Sequence, residues 1–223
     1  VAAVGGLVID LSHPLRGGMA VFPGDMVPEV ETRWREAGGY RITRLALGAH
    51  TGTHLDAPGH ALADGATIEA LPPGRFFGPG CVLVLEGVRT IGAEHLRPHE
   101  GALATLGGLG GWALLRTGWS RRWGGPGYYE DWPHLSTAAA ALLAGAGLSG
   151  IGLDTPSVDP ARPEEGQDPL AAHRVLGRAG LCIVENLTGL ERLPASGFAF
   201  CCAPLPLEGG EGSPVRALAC LDS

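Results

Sequence analysis

Short apolar runs recur along the chain, each a few residues long and most bounded by Gly, Pro or Asp. They cover Leu7 to Leu11, Ile42 to Leu47, Cys81 to Leu85, Trp112 to Leu115, Ile151 to Leu153, Leu181 to Val184, Phe198 to Ala203 and Val215 to Cys220. Runs of this length and punctuation predict strands. Two segments carry helix signals instead. Ser136 can N-cap the alanine- and leucine-rich run that ends near Gly145 or Gly147. Asp168 followed by Pro169 reads as a cap and first-turn proline for a helix through His173 to about Gly177. No repeat, heptad or linker interrupts the pattern, so residues 1–223 read as a single α/β domain. The order of strands and helices is too shuffled for a regular βαβ array.

Composition narrows the class. The 37 glycines and 18 prolines lie between apolar runs and so mark turns and rigid loops. At 223 residues there is enough chain for one sizeable core. A net charge of −7 argues against nucleic acid or an anionic membrane surface as partner. No apolar stretch approaches the roughly 18 residues of a membrane span. Val1 to Leu7 lacks a basic-then-apolar leader pattern. The five cysteines sit in apolar runs without a C-x-x-C, as small buried hydrophobes do, and this points to a reducing cytoplasm rather than a disulfide scaffold.

The candidate chemistry is concentrated between His50 and His60, HTGTHLDAPGH, where three of the eight histidines and one aspartate follow H-x3-H-x-D-x3-H. Imidazole nitrogen and carboxylate oxygen together are ligands for a catalytic divalent ion, typically zinc. In a straight strand His50 and His54 would lie about 13 Å apart. The segment must therefore curl, as a helical turn or a glycine loop around Gly52, with Pro58 stiffening the approach to His60. Two histidines four apart on their own are more often packing or surface residues; the aspartate and third histidine tip the balance towards a metal site. Asp154 and Glu185 each follow an apolar run, at the strand ends where α/β folds gather ligands. For both, a buried capping role is the commoner outcome.

The chain resembles the metal-dependent cyclase-like amidohydrolases, the family of bacterial kynurenine formamidases and isatin hydrolases. The likeness is carried by IDLSHPLRGGMAVFPGD, HTGTHLDAPGH, GLDTPSVDP, LAAHRVL, IVEN and GSPVRA, in that order. It implies a compact α/β domain of the swivelling β/β/α type, assembled as a homodimer or homotetramer. It also implies one or two divalent ions, zinc first and manganese second, held by His50, His54, Asp56, His173 and Glu185, with Asp56 able to bridge. His60 matches the family's proton donor and acceptor. Without the resemblance, His173 reads as a helix-surface histidine and Glu185 as a loop carboxylate. The implied reaction is hydrolysis of a C–N bond in a small aromatic amide resembling N-formylkynurenine, with hydroxide supplied at the metal. Opening of a cyclic amide or ester is the runner-up.

Two features depart from the formamidase pattern. Phe22 stands where those enzymes carry a substrate-lining tryptophan, which keeps the aromatic platform and loses the indole N–H donor. An aromatic, glycine-rich stretch runs from Thr117 to Pro133. It reads equally as a cover for an aryl substrate, a subunit contact, or a surface loop stapled by its own rings. Serine hydrolysis has no support, because no G-x-S-x-G elbow is present. A metal-binding protein without turnover is the nonenzymatic alternative, and the presence of His60 beside the ligand set argues against it.

Overall fold

The computed structural model describes residues 6–221; residues 1–5, read above for a leader pattern, and 222–223 lie outside the described residues. In chain order the strands are β1 (Val8–Asp10), β2 (Glu29–Arg35), β3 (Tyr40–Ala46), β4 (His54–Asp56), β5 (Phe77–Val84), β6 (Thr90–Ile91), β7 (Trp112–Arg116), β8 (His134–Leu135), β9 (Gly150–Leu153), β10 (Cys182–Glu185), β11 (Phe198–Cys201), β12 (Gly212–Pro214) and β13 (Leu218–Leu221). The helices are α1 (Ala93–Leu96), α2 (Glu100–Gly107), α3 (Thr137–Gly145) and α4 (Ala171–Arg178). Nine strands form one mixed sheet in the order β1-β13-β11-β5-β7-β9-β10-β4-β12. Its centre, β5-β7-β9-β10, is parallel, and the flanks are antiparallel.

Alternation along the central strands sorts two cores onto the two faces of this sheet. Leu83, Leu115, Leu153 and Ile183 face the helices and pack with Leu103, Leu143 and Leu176. Val82, Leu114, Val184 and Leu55 face the other way and pack with Phe198 and Phe200 from the antiparallel flank. A sheet that curls over one of its own faces and carries helices on the other is the expected β/β/α arrangement. Apolar runs without alternation, such as Trp112–Leu115, are what a strand buried on both faces requires.

Ser136 caps α3 as expected, its hydroxyl accepting from the Ala139 N–H at 3.1 Å. The α4 start differs from the sequence reading. Asp168 accepts from the Leu170 N–H before the helix begins. The N–H groups of Ala172 and His173, inside the first turn, are taken by Asp159 from a loop twelve or more residues upstream. A tertiary carboxylate has replaced the local cap. All five cysteines are free thiols, and among the described residues no helix is long and apolar enough to cross a membrane.

Candidate metal centre

The curl demanded by the His50–His60 segment is a glycine loop. Gly52 has φ +69°, a left-handed conformation that costs glycine nothing. The turn brings the rings of His50 and His54 to 5.0 Å between centroids. After it the chain straightens into β4, so His54 and Asp56 share a face while Leu55 faces the opposite core. Glu185 lies directly opposite His54 in the β10–β4 ladder and joins the same face. That face looks toward the helices, where α4 supplies His173. On the other side of β4, Gly212 of β12 pairs with Asp56. A Cβ there would sit 2.8 Å from the His50 ring, so this strand must carry glycine.

The orientation of each ring is set from behind. His54 donates from Nδ1 to the Gly52 carbonyl at 2.8 Å. His173 donates from Nδ1 to Asp159 Oδ2 at 2.6 Å. Both Nε2 lone pairs are thereby turned inward, His54 Nε2 onto Asp56 Oδ1 (3.3 Å) and Glu185 Oε2 (3.5 Å). His173 Nε2 lies 3.5 Å from Asp56 Oδ2 and 3.4 Å from Glu185 Oε1. A neutral histidine bonded this way presents an acceptor to acceptors. His173 Nε2 and Asp56 Oδ2 are buried and have no hydrogen-bond partner among the described residues. Rings oriented by carbonyl or carboxylate on the far nitrogen are what metal-ligating histidines use.

Protons or a cation must relieve this convergence, and the electrostatics say how strongly. Burial disfavours charge on His50, yet Asp56 at 2.7 Å, with Glu185 and Glu211, raises its pKa to about 9. His54 and His173 are likewise raised against the cost of burial, His54 by Asp56 and Glu185, His173 by Asp159, Asp56 and Glu185. Asp56, although buried, is held well below the usual carboxylate range by His54 and His50. A field that holds extra protons on two buried histidines and a half-buried one is one a divalent cation can take over. Two donor triads fit within 4.8 Å, His50–Asp56–His60 and His54–Asp56–Glu185, and Asp56 belongs to both. The residues present fit a divalent metal, with His173 Nε2 facing the second triad.

His60 follows β4 on a short turn begun by Pro58, with its ring 4.2 Å from His50 and 5.3 Å from His173. Burial, reinforced by His50 and His173, lowers its pKa, so it is neutral at pH 7. These groups line one side of a cavity of about 280 Å³. Phe22, Asp25, Tyr129 and Leu170 line the other. Phe22 meets Tyr129 and Trp132 edge-on at 6.2 and 5.9 Å, so the aromatic segment forms part of the pocket wall. The same segment is stapled by its own rings, Tyr128 meeting Trp123 and Tyr129 edge-on.

The capping expectation for strand-end carboxylates divides the two cases. Asp154 is a cap: it accepts from the Thr117 N–H and hydroxyl and from the Gly118 N–H. Glu185 is not a cap alone; one oxygen accepts from the Val158 N–H, and both face the histidines. His173 is buried, not on the helix surface. Sequence reading missed Asp159, which orients His173, Glu211, whose Oε1 is 3.2 Å from His50 Nε2, and Asn186, which lines the cavity. Asp159 and Asn186 lie inside motifs already quoted, GLDTPSVDP and IVEN, and Glu211 immediately precedes GSPVRA; nothing local distinguishes them from turn residues.

A family model described as a putative cyclase matches residues 9–160. A kynurenine formamidase of Bacillus cereus is 34% identical over 213 residues, covering 94% of this chain and 95% of that one. Among solved structures, isatin hydrolase A from Labrenzia aggregata superposes with a TM-score of 0.84 at 25% identity, covering 97% and 94% of the two chains. A predicted metal-dependent hydrolase from Bacillus stearothermophilus gives 0.74 at 27% identity, covering 96% and 97%.

Proposed function

The chain belongs to the cyclase family, and from that premise we propose that it is a metal-dependent arylformamidase, hydrolysing the C–N bond of a small aromatic amide resembling N-formylkynurenine. The observation that carries the reading is the convergence of two buried Nε2 lone pairs on two carboxylates, beside an aromatic-walled cavity. His50, His54, Asp56, His173 and Glu185 would hold the ion or ions, and the sharing of Asp56 between two donor triads supports two. Zinc is proposed first and manganese second, since a mixed histidine and carboxylate set takes either. Such an ion supplies Lewis-acid polarisation of a carbonyl and makes hydroxide available near neutral pH.

The chain's own groups do the rest. Phe22 and Tyr129 seat the aryl ring, and Asp159 and the Gly52 carbonyl hold the two inward-facing histidines in one tautomer. His60, neutral and adjacent to the donors, accepts a proton from the attacking water and returns it to the departing nitrogen. The formyl C–N bond breaks, the amine leaves neutral, and formate is the other product. The deciding experiment measures metal content of the purified protein and release of arylamine from an N-formyl anilide. Stoichiometric metal with turnover is expected; a metal-loaded protein inert towards amides overturns the reading. Ring opening of a cyclic amide is the second reading, favoured by the isatin hydrolase likeness, and relative rates on isatin and the anilide separate the two.

A cytoplasmic homodimer or homotetramer completes the proposal. The five free thiols support the compartment. The β2–β3 hairpin supports assembly: its strand residues are exposed or half-buried, and Val30, Trp34 and Leu45 share one face. A lone two-stranded hairpin is marginal in water, and a second copy of this chain is the occupant proposed for it. Light scattering should give a mass of two or four chains, reduced in Trp34→Ser; a wild-type monomer overturns this part.

A further inference from the structure

Tyr128 is among the most buried side chains, yet it takes no part in the pocket wall formed by its neighbour Tyr129. Its hydroxyl donates to Asn186 Oδ1 at 2.7 Å. Asn186 Nδ2 in turn donates to the Gly52 carbonyl at 3.0 Å, and that carbonyl is the one His54 Nδ1 bonds at 2.8 Å. Three buried donors thus run in series from the aromatic segment to the ring of His54. Asn186 sits in the left-handed region at φ 57°, a conformation asparagine tolerates better than other side chains. Its remaining groups are also fixed: its carbonyl accepts from Thr53 Oγ1 at 2.7 Å and its N–H donates to the Thr155 carbonyl at 3.0 Å.

We infer that Tyr128 and Asn186 are positioning residues that hold the Gly52 carbonyl against His54 and so keep the His54 Nε2 lone pair aimed into the donor cluster. This gives the aromatic segment from Thr117 to Pro133 a role beyond lining the pocket. The physical basis is that Gly52 lies in a loop whose glycine leaves its peptide plane free to rotate. A rotated carbonyl would release His54 Nδ1 and let the ring flip or change tautomer. The Asn186 amide, itself fixed at both ends, removes that freedom. Partners of this kind behind a ligating histidine typically matter at the level of about 10- to 100-fold in metal affinity or activity.

The inference rests on the metal reading above, and the experiment separates the two. Zinc affinity is measured by chelator competition for the wild type, Tyr128→Phe and Asn186→Gly. Glycine at 186 keeps the left-handed backbone accessible while deleting the amide, and Phe at 128 removes only the hydroxyl and keeps the ring and its packing. Asn186→Gly should weaken zinc binding about 10- to 100-fold, and Tyr128→Phe about threefold to tenfold. The double variant should be no weaker than Asn186→Gly alone, because both act through one path. In the zinc-loaded wild type, nitrogen-15 NMR should place the His54 proton on Nδ1, with exchange accelerated in Asn186→Gly. A wild type that binds no zinc defeats the metal reading. Wild-type binding with unchanged affinities and unchanged Nδ1–H exchange in both variants overturns the positioning role. Additive losses with an unaltered His54 signal do so as well, since they describe general loosening.

Discussion

On one side of the cavity, His54 and Glu185 sit on paired strands, with Asp56 on the same strand face as His54, each no more than 4% exposed and with ladder register deciding which side chains meet. On the other, Phe22, Asp25 and Tyr129 come from loops, and Phe22 is 41% exposed. The first wall is over-determined: a one-residue slip of β4 would turn His54 and Asp56 into the apolar core. The second is held by edge-on ring contacts, by a long bond from the Tyr129 hydroxyl to the Ala20 carbonyl and by the Asp25 N–H on the Phe22 carbonyl. A fold that fixes donors on strands and leaves substrate contacts to loops can keep its chemistry while its substrate changes. On the function proposed above, that division fits a chain similar to both a kynurenine formamidase and an isatin hydrolase.

The largest effect should come from the strand wall. His54→Gln keeps roughly the volume of the ring but replaces an inward lone pair with an amide. It should strip most of the metal and with it nearly all turnover, while circular dichroism stays native. Full metal occupancy by elemental analysis would remove His54 from the ligand set. His60, at the edge of the same wall, should behave differently. His60→Ala should retain metal yet lose roughly 10²- to 10⁴-fold in kcat on amides. If metal leaves with the ring, His60 is a ligand in the first triad, a role its distance from His50 and Asp56 also allows.

The loop wall should show specificity effects without metal loss. Wild-type protein should turn over N-formyl anilides or isatin faster than aliphatic formamides of similar size, by about tenfold to a few hundredfold in kcat/KM. Phe22→Ala should shrink that gap and leave slow aliphatic turnover and metal content nearly unchanged. Equal rates on both classes in the wild type would show that this wall does not read aromaticity.

Legibility in the sequence follows the same division. The central strands were readable because burial on both faces makes them continuous apolar runs, as in Trp112–Leu115 and Cys182–Val184. Of the β2–β3 hairpin only the Ile42 to Leu47 run, overlapping β3, could be read, because Glu29–Arg35 alternates charges on a surface with no core beneath it. α1 and α2 went unread because Pro98 and the flanking glycines break their short patterns. His50, His54, Asp56 and His60 were legible from spacing, since one glycine loop gathers them. His173 and Glu185 needed the family likeness, because what joins them to the others is strand pairing and helix docking. Asp159, Asn186 and Glu211 act through contacts 14, 134 and 161 residues away in sequence, and no local pattern encodes such distances.

The smallest effect contrasts two histidines in the metal-free protein, His50 in the donor cluster and His13 packed on the aromatic segment. His13 stacks face to face on Trp123 of the aromatic segment, with centroids 3.9 Å apart. Burial, helped by Arg16, lowers its pKa to about 4, whereas the carboxylates raise His50 to about 9. Both groups start near 6.5 when unfolded. Between pH 6.5 and 4 the unfolded chain protonates His13 and the folded chain does not, so stability falls as pH falls. Between pH 6.5 and 9 the folded chain keeps the His50 proton that the unfolded chain has lost, so stability falls as pH rises. The two histidines therefore limit the metal-free protein from opposite sides of pH 6.5. His13→Phe preserves the stacked ring and cannot titrate. It should flatten the acid limb by up to one proton, on the order of 1–2 kcal/mol between pH 6.5 and 5 once solvent access to the ring edge is allowed for, and leave the alkaline limb untouched. Urea unfolding at pH 5, 6.5 and 8.5 measures both limbs. An acid limb equally steep in the variant would show that His13 has no part in the pH response.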